Sequence, residues 1–151
     1  MEELDRLLTD LEDQIDLNHL KEVEKLHCDT LSFKELPFLP LSILFPVDYK
    51  FKPFKYSEAF DDPEKMLFNE LLWSFSSVYN SVRLRDYFPL HIRSNHGVGI
   101  ISSLFGAKCR IVNENMPWVD HFDSIEDIKR IIKRGVPDYN KALGAKVIQT
   151  H

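Results

Sequence analysis

The stretch Arg93-Ser94-Asn95-His96-Gly97-Val98-Gly99 decides how the chain is read. Upstream of it, Tyr87 to Ile92 reads as a strand, and downstream Val98 to Phe105 has the pattern of a short helix closed by Gly106. A strand that turns into a helix through two glycines suits an α/β fold, whose ligands bind at the carboxyl edge of the strands. In that setting Arg93 can clamp a carboxylate, and Asn95 and His96 can donate hydrogen bonds or move a proton. Gly97 and Gly99 would let backbone N–H groups approach an anion at the helix start. The same residues also fit a tight strand-to-helix turn with a solvated Arg93 and a locally bonded His96, and the pattern alone leans toward that turn.

The residues beyond extend the α/β reading. Ala107 to Val112 predicts a second strand. Asp123 and Glu126 form a D-x-x-E capping pattern ahead of Ile125, Ile128, Ile131 and Ile132, and Gly135-Val136-Pro137 closes that helix. A last helix is expected from about Asp138 to His151, with no stop signal, as though the chain were cut within an element. All five glycines lie after residue 96, so the tight turns concentrate there.

Toward the N-terminus the character changes. Asp62-Pro63 opens a helix with an acceptor at the N-cap and proline at the first helical position. Leu67, Leu71, Leu72, Phe75, Val78, Tyr79 and Val82 then mark one apolar face, expected in the core or, failing that, on a partner. Before it, Pro37, Pro40, Pro46 and Pro53 interrupt an aromatic-rich run over residues 33–56, which predicts an extended arm with at most one short strand near Leu41 to Phe45. Lys50, Lys52 and Lys55 interleave with the aromatics there, but three lysines in a balanced chain favour stems that cover apolar surface over a nucleic-acid platform. Leu4, Leu7, Leu8, Leu11 and Ile15, then Leu20, Val23 and Leu26, predict one bent helix or a helical pair.

A chain of 151 residues and 17.7 kDa buries the core of one domain and hardly of two. It also falls short of the ~250 residues of a typical (β/α)₈ barrel. The formal charge of −5 comes from the first helix, where seven acids between Met1 and Asp16 face Arg6 alone. Neither part of the chain is basic enough to suggest a nucleic-acid surface. Cys28 and Cys109 are too few for a disulfide framework and have no zinc spacing. His19, His27, His91, His121 and His151 form no HExxH or facial-triad pattern. With no signal-peptide pattern and no membrane-length apolar run, a cytoplasmic protein without membrane contact is expected.

The run Arg93 to Ala107 (RSNHGVGIISSLFGA), with Met116-Pro117-Trp118, Asp123 to Asp127 (DSIED), Arg134 to Asp138 (RGVPD) and Leu143 to Val147 (LGAKV), resembles bacterial proteins of the uroporphyrinogen decarboxylase superfamily, best over residues 57–151 and nearest their uncharacterised, decarboxylase-like branch. The resemblance implies an α/β fold, the N-terminal portion of a (β/α)₈ TIM-type barrel. It divides the chain into N-terminal helices and a Pro/aromatic arm over 1–56 and the first, incomplete strand-helix units over 57–151. It also implies carboxy-lyase or methyl-transfer chemistry in the full-length parent, on a small-molecule carboxylated or thiol substrate. Arg93, Asn95, His96, Gly97 and Gly99 would line that substrate's pocket. Uroporphyrinogen itself is not the expected substrate: the decarboxylases place an acidic residue where this chain has Asn95, His96 and Gly97, and their N-terminal arginine-rich motif is missing. Zinc or corrinoid in full-length relatives would be held by a carboxyl-terminal half, so no cofactor is assigned to this chain, which alone is expected to be inactive. The competing expectation is a non-catalytic binding or assembly module, using the arm and the apolar helix after Asp62-Pro63 to pair with itself, a missing barrel half or another chain.

Overall fold

The structure, a computed structural model, describes residues 2–43 and 51–150, apart from the side chains of residues 75–77 and 79–83. Its content is mixed and mostly helical. In chain order come α1 (Glu2–Glu12), α2 (Leu17–Leu31), α3 (Tyr56–Ala59), α4 (Pro63–Leu84), α5 (Ile100–Leu104), β1 (Cys109–Arg110), β2 (Trp118–Val119), α6 (Ile125–Arg134) and α7 (Ala142–Thr150). The chain forms two compact units, Met1–Pro53 with Leu67–Arg93, and Phe54–Met66 with Ser94–His151. Their boundary runs through α4, whose first turn belongs to the second unit.

The first unit starts from a helical pair rather than one bent helix. Asp16 makes the break: its Oδ1 accepts from the N–H groups of Asn18 and His19 at 2.9 and 3.2 Å, which caps α2 and prevents α1 from running on. The same bonds, with Arg85 beside them, hold the Asp16 carboxyl below its usual range. Leu7 and Leu11 of α1 and Val23 of α2 are buried, as are Phe68, Leu71, Leu72 and Val78 of α4; of the predicted stripe, Leu71, Leu72 and Val78 are thus core, Leu67 is partly buried, and the side chains of Phe75, Tyr79 and Val82 lie outside the described residues. The α4 cap is also as predicted, with Asp62 Oδ1 accepting from Glu64 N at 3.0 Å. In the arm, residues 38–43 are irregular; the rest of the strand expected near Leu41 to Phe45, and Lys50, lie outside the described residues.

Tyr87 to Ile92 is not a strand. Its carbonyls and neighbouring groups are taken by side chains instead of by a ladder. His19 Nε2 donates to the Asp86 carbonyl at 2.8 Å, His27 Nε2 to that of Tyr87 at 2.9 Å, and Ser74 Oγ to that of His91 at 3.1 Å. Tyr87 N donates to Leu41 O, and Pro89 has no N–H to offer a ladder. The segment is pinned by these bonds, with backbone needs met one residue at a time.

In the second unit, the strand expected over Ala107 to Val112 shrinks to Cys109–Arg110. It pairs antiparallel with Trp118–Val119, Cys109 opposite Val119 and Arg110 opposite Trp118. The physical reason is the short connection: Asn113 and Glu114 sit at φ 53° and 57°, turning the chain straight back, and residues 111–117 are too few for a parallel crossover. The α6 cap is shifted by one residue from the D-x-x-E expectation. Ser124 is the N-cap, its Oγ accepting from Asp127 N at 3.2 Å. The last helix begins at Ala142, because Asp138 Oδ1 first closes a turn onto Asn140 N at 3.0 Å. Among elements of this unit, α5 packs on α7: Ser103 Oγ accepts from Leu143 N at 3.3 Å, and a Cβ on Gly144 would stand 2.2 Å from the Tyr139 carbonyl oxygen.

Candidate functional site

The turn at residues 94–99 is built by side chains of its own unit. Tyr56 Oη donates to the Asn95 carbonyl at 2.8 Å, and the Asn95 N–H points at Met66 Sδ at 3.2 Å. Gly97 has φ 74°, and a Cβ there would meet Pro117 Cδ at 2.9 Å. At Gly99 an added Cβ would fall 2.7 Å from Val119 Cγ2 and 2.8 Å from Cys109 Sγ. These glycines make room for protein atoms, so the G-x-G signal here reports packing of the turn against the hairpin.

His96 is 1% exposed, edge-on to Phe60 with ring centroids 5.2 Å apart. Its Nε2 lies 3.4 Å from Thr150 Oγ1, and its Nδ1 has no hydrogen-bond partner. Burial first, and then the Lys146 ammonium, push its pKa below the ordinary histidine value, with Asp61 opposing. Lys146 is itself paired with Asp61 and lies over the Phe60 ring. The imidazole is thus a neutral ring inside a small aromatic and ionic cluster. Arg93 belongs to the first unit, where its Nε donates to Glu70 Oε2 at 3.2 Å; Glu70 is buried. The five predicted residues therefore divide: Asn95, His96, Gly97 and Gly99 share one turn of the second unit, and Arg93 forms an ion pair in the first.

Two features of the second unit were not singled out from the sequence. The first is an open cleft of about 600 Å³ beside α6, lined among others by Phe105, Lys108, Asp120, Phe122, Ile131 and Arg134. Two of its cations are already neutralised, Arg110 by Asp120 at 3.1 Å and Arg130 by Asp127. The second is the outer face of α6. None of its residues is buried, and Ile125, Ile128 and Ile132 are 71%, 47% and 74% exposed, while Ile131 turns toward the cleft. The signal for that face, isoleucines at i, i+3 and i+7, was visible in the sequence, but it predicts a face without saying what covers it.

No described helix is long and apolar enough to cross a membrane. Among the described residues no group of three or more His, Cys, Asp or Glu is placed to hold a metal ion. Cys28 is exposed, and the Cys109 thiol is pushed up by burial, its Sγ 3.6 Å from the Gly99 carbonyl. Comparison with protein-family models, with curated proteins and with solved structures finds no match for this chain.

Proposed function

We propose that this chain is a non-catalytic assembly module that associates with another polypeptide through α6. The observation that carries the reading is a ten-residue helix whose isoleucine face is uncovered. An isolated helix of that length is marginal in water, and helices in proteins draw most of their stability from a buried apolar face. Full burial of one isoleucine is worth about 1.5–3 kcal/mol, so covering this face would order α6 and supply binding energy together. On α4, the other surface the sequence offered for this purpose, Leu71, Leu72 and Val78 are already buried. The test is light scattering of the purified protein over a concentration series. Species larger than the 17.7 kDa chain are expected; a well-folded monomer with a cooperative melt at every concentration would sink the reading.

A second reading is that the module is the N-terminal portion of a uroporphyrinogen decarboxylase-like protein with a (β/α)₈ barrel. Its support is that segments carrying the resemblance pack together: Gly97 against Pro117, and Ser103 against Leu143. The parent's reaction would be a carboxy-lyase or methyl-transfer step on a carboxylated or thiol substrate, with the half-exposed Arg93 the one of the five expected residues proposed to meet it. Zinc or corrinoid would belong to the rest of that parent. In such a parent, Arg93→Ala should lower kcat/KM with the melting temperature retained; undiminished kcat/KM would remove Arg93 from the site.

A further inference from the structure

We propose that α7 is an acid-sensitive latch, docked on α5, Phe60 and Asp61 while the His96 ring is uncharged and released when that ring takes up a proton. The hydrogen bonds around the imidazole carry the inference. Thr150 Oγ1 donates its own proton to the carbonyls of Lys146 and Val147, each 3.1 Å away, so toward His96 Nε2 it presents a lone pair. Nε2 therefore holds the proton of the neutral ring, and Nδ1 is left bare, buried and without a partner. A second proton has to go to Nδ1, where no acceptor waits for it.

The charges nearby oppose that proton as well. Those that act on His96 are Lys146 of α7 and Asp61 of the segment between α3 and α4. Asp61 is already paired with Lys146, whose ammonium lies 4.4 Å from the centre of the Phe60 ring. An imidazolium in this cluster adds a cation beside Lys146, while the acid that could offset it is committed.

The ring's neutrality thus secures the carboxyl-terminal end of α7. The other end is held by Ser103, whose Oγ accepts from Leu143 N, and by the close fit of Gly144 against Tyr139 and Leu104. A helix of nine residues is too short to persist once undocked. The chain enters it through Ala142 at φ 50°, a left-handed conformation that an alanine keeps only where its surroundings impose it. Release relaxes that turn and brings His96 to water, where it charges freely. The docked ring has its pKa below the ordinary 6.5, so above that pH release is unaffected. Below it, release gains up to about tenfold per pH unit until the docked pKa is reached.

The experiment is native-state amide hydrogen exchange of the intact chain at pH 7.5 and 5.5, corrected for intrinsic rates and repeated over urea concentrations below the unfolding transition. Protection in α7 is expected to fall by up to about tenfold at pH 5.5, with the weak urea dependence of a local opening. Helix α6, none of whose residues bonds His96, should hold its protection. His96→Leu should abolish the fall in α7. Nitrogen-15 NMR of the wild-type histidine keeps the test decisive should that variant misfold. It should show the Nε2–H tautomer at neutral pH and protonation in step with the loss of α7 protection. Unchanged α7 protection at the two pH values, or a loss that rises with urea as steeply as exchange in α4, would overturn the latch. So would an equal loss in His96→Leu, or an imidazole that takes up its proton while α7 stays protected.

Discussion

Helices α4 and α6 begin with the same chemistry and end in opposite situations. Each opens on a side-chain cap, Asp62 and Ser124, and each carries apolar residues at helical spacing. In α4, Leu71, Leu72 and Val78 are buried, while in α6 no residue is. The difference teaches that amphipathic spacing establishes that a face exists, and length and neighbours establish whether the chain can cover it. With 22 residues, α4 passes through both compact units and finds core in each. With ten, α6 lies beside a hairpin of only two residues per strand, which offers little apolar surface in return.

The sharpest way to break this contrast is truncation of matched side chains. Leu72→Ala should cost about 2–5 kcal/mol in a chemical denaturation, because it empties a packed site. A cost below 1 kcal/mol there would mean that α4 is no more committed to core than α6. A second test asks whether the unit that carries α6 has a core of its own, at His96. Its folded pKa is lowered, so the unfolded state binds the proton more tightly. Stability from this group is therefore complete above the unfolded value near 6.5 and is lost as pH falls below it. Melting temperatures at pH 7.5 and 5 should drop for the wild type and drop less for His96→Leu; equal drops would remove the histidine as the cause.

Smaller effects are expected at the caps. Ser124→Ala should cost about 1 kcal/mol of helix stability. With no buried face tying α6 to the rest, the loss should show as faster amide exchange within residues 125–134 and leave the global melt nearly unchanged. A matching fall in global stability would show that α6 is integral after all. Smallest of all, Ile132→Ala in the monomer should stay within about 0.5 kcal/mol, the range of surface substitutions.

Legibility varied with how local the cause was. The α1–α2 break, the Asp62-Pro63 start of α4 and the Gly106 end of α5 follow from residues within one or two turns, and all three were readable. Residues 87–92 alternate well enough for a strand, yet the groups that replaced the ladder, His19 and His27, lie about sixty residues away in sequence. For the 93–99 turn, the residue types suggested ligand chemistry. What the glycines accommodate, Pro117, Val119 and Cys109, depends on how the hairpin folds back.

By itself the sequence determined the break between α1 and α2, the start of α4 and the end of α5, which faces are apolar, and the acid-to-base order along α6. Each of these is set by short-range backbone sterics, side-chain caps and the 3.6-residue period. Only the tertiary structure decided which apolar face is covered, that the hairpin is antiparallel, and that His96 is a buried neutral ring. Those outcomes depend on contacts between residues distant in the chain. Burial and desolvation belong to the packed surroundings and cannot be assigned to a residue taken alone.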